Sequence, residues 1–151
     1  MKRKPHNKYV RSGFTLVELM VVAVIVAILA AVAIPLMGKS TKRMIATEAE
    51  STLGHIRTAL RSAYVQTDAY NKNLDGGIIG AGPVVGIVPG LSIGDLDGTY
   101  FDDAAYALTL VGPNTYTITA TGDNSTAGRA SEAAGVLITL DETGTFTRSG
   151  L

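Results

Sequence analysis

Two hydrophobic patterns follow one another in the first half of the chain, and the first is apolar on every face. From Leu19 to Met37 no side chain carries a charge or a strong hydrogen-bonding group. At about 1.5 Å per residue, a helix of this length is roughly 28 Å long, close to the hydrocarbon thickness of a bilayer. The pattern predicts that residues 14–38 form a membrane-spanning helix.

The second pattern is a single apolar stripe. Hydrophobic residues recur three or four positions apart, which is typical of an amphipathic helix with one buried face. They are Ile45, Ala49, Leu53, Ile56, Leu60 and Ala63. We therefore expect residues 39–70 to be an amphipathic half-helix, continuous with the first segment from about Thr15 to Ala69.

Two residues should weaken the junction between these halves. Pro35 lacks the N–H that would bond the carbonyl of Ala31, and its ring crowds that carbonyl. Gly38 adds backbone freedom three residues later. A kink or a locally melted stretch near residues 31–38 is the prediction.

The rest of the chain changes to turn formers and then to period-two alternation. Residues 71–103 are rich in glycine and predict a surface loop with short extended pieces at Val84-Val85 and Ile87-Val88. Residues 104–151 predict an antiparallel sheet of about four strands. The alternating sets are Tyr106, Leu108 and Leu110, then Tyr116, Ile118 and Ala120, followed by strands at Val136–Leu140 and Thr145–Arg148. The fold class is α+β: a long N-terminal helix packed on a C-terminal antiparallel sheet.

Charge is distributed unevenly along the chain. Residues 1–13 hold five cations and no acid, while the remainder holds eight Lys and Arg against 13 Asp and Glu. The basic leader favours a cytoplasmic N-terminus and a single pass outward. The acidic remainder argues against nucleic acid as a main partner. Because there is no cysteine, no disulfide can stabilise the fold.

Glu18 is the one carboxylate within the apolar start of the helix, directly after the basic leader. A carboxylate at bilayer depth costs on the order of 2.5–3.5 kcal/mol. The segment Ser12-Gly13-Phe14-Thr15-Leu16-Val17-Glu18, with the apolar run to Pro35, resembles the class III signal of the type IV pilin superfamily. The likeness is specific over about residues 11–38 and only architectural beyond them. An ordinary secretory signal, cleaved after Ala33, is the competing interpretation.

This resemblance implies a processing pathway. A prepilin peptidase would remove the leader, residues 1–13, by cutting between Gly13 and Phe14, and would methylate the new amine of Phe14. Glu18 would then direct assembly, and Pro35 with Gly38 would let the helix stretch within a filament.

The implied function is structural: a subunit of a type IV pilus-like filament serving adhesion, motility or DNA uptake. Its partners would be copies of itself, the peptidase, an inner-membrane assembly platform and, before assembly, the bilayer. A periplasmic pseudopilin of type II secretion and a minor tip pilin acting as an adhesin or receptor are the alternatives.

No catalytic arrangement is suggested by the sequence, and we expect no enzyme. His55 is the only imidazole beyond the leader, and no Ser/His/acid or Cys/His set is present.

One acidic loop is a candidate metal site. Asp95, Asp97, Asp102 and Asp103 place four carboxylates in nine residues around Gly98. Calcium prefers such oxygen ligands, and the major pseudopilins carry a calcium site in the head, but the spacing does not fit an EF-hand. A solvated turn without a metal is the favoured expectation, and calcium is the alternative.

Overall fold

The computed structural model describes residues 13–151, with side chains described for 13–34 and 40–151. The leader residues 1–12, including the basic cluster, lie outside the described part. The chain divides into two compact units between Gly38 and Lys39, and each unit is considered by itself below.

A single long helix, α1, runs from Leu16 to Thr67. It ends where Asp68 adopts a left-handed conformation, with φ of 56°. Helical structure continues through Pro35 and Gly38, so the backbone is not melted there in the single chain. The predicted kink at these two residues stays a prediction.

The first unit presents an apolar surface that nothing in the described chain covers. Every described side chain from Gly13 to Ile34 is exposed. The stretch Leu16–Ile34 has 19 residues and a mean hydropathy of 3.0, so length and composition make it one candidate membrane span. This matches the predicted segment 14–38 in its helical and apolar character.

The second unit contains a five-stranded sheet in which every neighbouring pair is antiparallel and the strands follow one another in chain order. The sequence pattern predicted about four strands, and the structure adds a two-residue edge strand from the glycine-rich loop. The strands are β1 Gly82–Pro83, β2 Tyr106–Leu110, β3 Tyr116–Thr121, β4 Leu137–Asp141 and β5 Phe146–Ser149. A short helix, α2, spans Ala130–Ala133 before β4.

Strand register puts the alternating apolar residues on one face. Leu108 lies opposite Ile118, and Ile118 lies opposite Leu140, across three adjacent strands. All three are at most 1% exposed. The predicted inward set is confirmed because a pleated strand turns alternate side chains to the same face.

The helix stripe covers that sheet face. All six predicted stripe residues are buried, and all but Ala63 share one hydrophobic core with the inner residues of β2, β3 and β4. Tyr70 continues this contact at the end of the helix, with its ring centroid 4.7 Å from that of Tyr116. The α+β arrangement predicted from the pattern is therefore the observed one.

One local prediction is wrong. The segment containing Val84, Val85, Ile87 and Val88 forms turns instead of short extended pieces. The N–H of Val88 donates to the carbonyl of Val84 at 3.0 Å, and both side chains are buried. Gly86, with φ of +85°, lets the chain reverse in a way that extended backbone would not allow.

Three contacts hold the C-terminal strand without a disulfide. Arg148 on β5 forms an ion pair with Glu50 on α1. Lys42 Nζ donates to the carbonyl of Gly150 at 2.8 Å. Gly150 itself lies so close to the carbonyl oxygen of Gly135 that a Cβ would sit 1.9 Å from it. Side-chain contacts to the helix and close backbone packing therefore supplement the pairing of β5 with β4.

Candidate functional site

The start of α1 is organised around Thr15 and Glu18. The carboxylate oxygen Glu18 Oε2 accepts from the backbone N–H of Thr15 at 3.0 Å and from its hydroxyl at 2.8 Å. In return, the N–H of Glu18 donates to Thr15 Oγ1 at 3.3 Å. This is a capping box, in which a Thr before the helix and a Glu three positions later satisfy backbone N–H groups that the helix leaves unpaired.

The capping role of Thr15 was not predicted from the sequence. The signal was present, because Thr followed by Glu three residues later before an apolar run is the pattern of a capping box. The acidic residue at the helix start also faces the positive end of the helix dipole. Glu18 thus has a local structural role in the single chain in addition to any role between chains.

The predicted cleavage position lies directly before this cap. Gly13 is exposed, and a Cβ built on it would meet nothing within 4 Å. Phe14 is 75% exposed. The described chain thus has room for a side chain at Gly13, so any requirement for glycine there would come from the processing enzyme.

In the second unit, the acidic loop uses its carboxylates to fold its own backbone. Asp103 accepts from the N–H of Gly94 at 2.6 Å and from that of Leu96 at 3.2 Å. Asp97 accepts from the N–H of Asp103 at 3.2 Å. Within the described residues, no group of three or more His, Cys, Asp or Glu side chains is placed to hold a metal. The structure therefore gives each of these carboxylates a turn-forming role.

Asp95 and Asp102 are used in the same way. Asp95 accepts from the N–H of Ser92 at 2.8 Å, and Asp102 accepts from both the N–H and the hydroxyl of Thr126. Partial burial raises the pKa of Asp102, but the hydrogen bonds from Thr126, Ala104 and Ser125 together outweigh it, so the pKa lies below its ordinary value.

Glu48 on α1 anchors this loop to the helix. Its carboxylate accepts from three successive backbone N–H groups: Tyr100 at 2.7 Å, Phe101 at 3.0 Å and Thr99 at 3.2 Å. A Cβ at Gly98 would sit 2.6 Å from Glu48 Oε1, so only glycine leaves room for the carboxylate. The role of Glu48 was not predicted from the sequence, because its partners lie about fifty residues away and no local pattern indicates them.

The imidazole and the tyrosines provide no catalytic arrangement among the described residues. His55 is exposed on α1, as expected for a residue outside the apolar stripe. Burial raises the pKa of Tyr106 to about 12, which keeps its hydroxyl protonated at neutral pH. A neutral buried phenol is a core residue here and not an activated nucleophile.

Comparison with known proteins agrees with the N-terminal geometry. Residues 9–34 match the family model of the prokaryotic N-terminal methylation motif. The type IV major pilin protein PilA of Myxococcus xanthus is 44% identical over 67 residues, which are 44% of this chain and 29% of that protein. Two fimbrial proteins of Pseudomonas aeruginosa are each 45% identical over 56 residues, 37% of this chain and 36% of theirs.

These matches have a limited extent. The aligned part of the chain spans about a third of the length of these curated relatives. No solved structure gives a significant match. The family-model match concerns residues 9–34, and the head is characterised by its own structure.

Together, these observations define a protein with an N-terminal methylation motif, in which a capped apolar helix leads into an α+β head. Over part of its length the chain is similar to a type IV pilin and to fimbrial proteins, and its N-terminal segment carries the methylation motif.

We expect Glu48→Gln to destabilise the head by about 1–3 kcal/mol, because an amide has one acceptor oxygen instead of two and no charge to strengthen these bonds. The measurement is the unfolding midpoint of the full chain in detergent. Asp75→Asn, an amide substitution at an exposed carboxylate, is the matched control and should change stability by less than about 0.5 kcal/mol. Equal midpoints for the two variants would contradict the anchoring role.

Chelation of divalent cations should leave the unfolding midpoint of the full chain unchanged, because the loop carboxylates already accept backbone hydrogen bonds. A resident calcium at 100 times its dissociation constant would add about 2.7 kcal/mol, a readily measured effect. A calcium-dependent rise in the midpoint that is lost in Asp97→Asn would establish a metal site. That result would also favour the pseudopilin alternative.

Proposed function

We propose that this protein is a structural subunit of a type IV pilus-like filament that polymerises through its N-terminal helix. The observation that carries the proposal is the exposed apolar surface of residues 14–34, with Glu18 as its one carboxylate. Such a surface is stable only in lipid or against other apolar helices. The match to the methylation motif over the same residues supports this assignment.

In this proposal the chain passes through two environments. The helix spans the inner membrane once, with the basic leader in the cytoplasm, and a prepilin peptidase cleaves after Gly13 and methylates the amine of Phe14. An assembly platform in the inner membrane then transfers the subunit into the filament. The fimbrial relatives support a filament as the final location.

The charged groups at the helix start would set the register of the filament. Cleavage leaves a cationic amine on Phe14, four residues before Glu18. Glu18 would pair with the Phe14 amine of a neighbouring subunit. Only one axial offset between the two subunits satisfies both charges. In an apolar bundle an unpaired charge is strongly disfavoured, so the pair acts as a register device while apolar packing supplies cohesion.

The acidic composition of the head bears on what the filament does. Beyond Lys72 the only cations are Arg129 and Arg148, and both are paired, with Glu132 and Glu50 respectively. A role as a subunit fits this surface better than a role as a DNA receptor, since phosphate binding needs a basic groove. Surface filaments would indicate a pilin. Impaired secretion with intact pili after loss of the protein would instead indicate a pseudopilin.

Gly13→Val should block maturation, because a branched side chain at the cut obstructs the peptidase while the chain itself has room for it. The mass of the processed wild-type protein should correspond to a chain that begins at a methylated Phe14. The variant should retain the leader. Gly54→Ala, at another glycine with open space around its Cβ position, is the control that should be processed normally. An intact Met1 on the wild-type protein, or cleavage after Ala33, would refute the assignment.

Substitutions at Glu18 separate its two roles. Glu18→Gln retains a side-chain oxygen that can complete a capping box but removes the charge, so it should reduce filaments as severely as Glu18→Ala. Thr15→Ala removes the cap, at a cost of about 1 kcal/mol, and should leave most filaments. Filament yield is measured by shearing and immunoblot in cells that lack the wild-type subunit, with membrane levels as the control. Normal yield from Glu18→Gln would exclude the charge-pairing mechanism.

A further inference from the structure

The chain contains two Asp-Gly pairs, and the structure holds them in different ways. Asp75-Gly76 lies in the turn that follows α1, and Asp97-Gly98 lies in the acidic loop. An Asp-Gly bond is among the peptide bonds that rearrange most readily, because glycine has no side chain to obstruct the reaction and its backbone is permissive. All four residues are exposed, so a difference in reactivity between the pairs must come from their contacts.

The rearrangement uses only the chain and water. The backbone nitrogen of the glycine loses its proton and bonds to the side-chain carboxyl carbon of the aspartate, and a carboxyl oxygen leaves as water. Water then opens the resulting succinimide ring. Opening at the side-chain carbonyl restores aspartate, whereas opening at the main-chain carbonyl gives isoaspartate, in which the chain runs through the former side chain. One water leaves and one returns, so composition and redox state are unchanged.

The first pair lies in a turn that is held only by itself. Within the described part of the chain, no hydrogen bond or ion pair involves the Asp75 side chain. The hydrogen bonds of residues 74–77 all go to Asn73, including the N–H of Gly76 to its carbonyl at 3.0 Å and the N–H of Gly77 to its Oδ1 at 2.7 Å. A short exposed turn of this kind opens locally at low free energy. The nitrogen of Gly76 can therefore reach the free carboxyl group.

At the second pair both reacting groups are fixed. Asp97 Oδ1 accepts from the N–H of Asp103 at 3.2 Å, and the N–H of Gly98 donates to the carbonyl of Phe101 at 2.7 Å. Glu48 in turn accepts from the N–H of Phe101 at 3.0 Å, which ties this part of the loop to α1. A Cβ at Gly98 would sit 2.6 Å from Glu48 Oε1. A negative charge so close disfavours loss of the glycine N–H proton.

We propose that Asp75 is a site of spontaneous isomerisation to isoaspartate in the folded protein, and that Glu48 protects the chemically equivalent pair Asp97-Gly98. Isoaspartate at position 75 adds one carbon atom to the main chain of the turn, so it should break the bridge between Lys72 and Ile78.

The consequence for a filament, and this consequence alone, rests on the proposed function. A subunit persists in the filament after export, so the modified turn would accumulate with the age of the filament. The acidic loop would stay intact in the same subunits.

The two sites can be compared within one molecule. The purified full chain is incubated warm in detergent for increasing times, then denatured and digested with a protease that cleaves before aspartate but not before isoaspartate. Mass spectrometry follows the loss of cleavage at each site. Trypsin would not separate them, because no Lys or Arg lies between Lys72 and Arg129. We expect loss before Asp75 to be at least about tenfold faster than loss before Asp97, since the anchored loop opens less often.

The same chain incubated in denaturant is the control, and it should lose cleavage at the two sites at rates within about threefold, because local structure no longer protects either pair. Equal rates at the two sites in the folded chain would overturn the proposal. So would the absence of isoaspartate at position 75 over a time in which the denatured chain forms it.

Two helix variants test the protection by Glu48, below their unfolding midpoints. Glu48→Gln should speed the reaction at Asp97 at least about threefold and leave that at Asp75 unchanged, because only the loop loses its anchor. Glu50→Gln, which removes the carboxylate paired with Arg148, is the matched control and should leave both rates unchanged. Continued protection of Asp97 in Glu48→Gln would refute the role of Glu48. The wild-type comparison still decides the reactivity of Asp75 if that variant unfolds.

A further variant confirms the source of the product. Asp75→Glu keeps the charge but would require a larger ring, which forms far more slowly. Total isoaspartate, measured by enzymatic methylation of the purified chain, should fall by most of its wild-type value. An unchanged total would place the reaction elsewhere and overturn the assignment. None of these measurements involves filaments, so their failure would leave the proposed function untouched.

Discussion

The burial of one helix stripe against one sheet face is the interaction on which the head depends. Each large aliphatic side chain removed from water contributes about 1.5–3 kcal/mol, compared with about 0.5–1.5 kcal/mol for a typical hydrogen bond. Ile45, Leu53, Ile56 and Leu60 are at most 1% exposed, and they meet the inner residues of β2, β3 and β4. The strands follow one another in chain order. Short turns join β2 to β3 and β4 to β5, whereas the longer segments 84–105 and 122–136 join β1 to β2 and β3 to β4.

The same helix lacks such a partner in its first half. From Phe14 to Ile34 its described side chains are exposed and almost wholly apolar. A helix that is hydrophobic on every face must be buried by something outside its own chain. In the proposed function, the bilayer buries this half of the helix before assembly, and neighbouring helices bury it in the filament. The head is packed on its own sheet in both states.

Several carboxylates of the head hold its loops and turns by accepting hydrogen bonds from backbone N–H groups. Glu48 fixes the loop before β2, Asp103 closes the acidic loop, and Asp141 closes the turn between β4 and β5. The hydroxyl of Thr143, and then the N–H of Thr145, lower the pKa of Asp141. These contacts order the loops and turns of a chain without cysteine.

The sequence by itself determined the elements whose cause is local. The apolar run, the stripe from Ile45 to Ala63 and the alternation in β2 and β3 follow from side-chain periodicity, which a helix or strand converts directly into a buried face. The motif around Gly13, Phe14 and Glu18 is likewise contiguous. Only the tertiary structure decided the hydrogen bonds of Glu48 to residues 99–101, the turn at Val84–Val88, the addition of β1 and the ion pair of Arg148 with Glu50. These features join residues far apart in the chain, and their energy comes from contacts that exist only after the helix and sheet have packed.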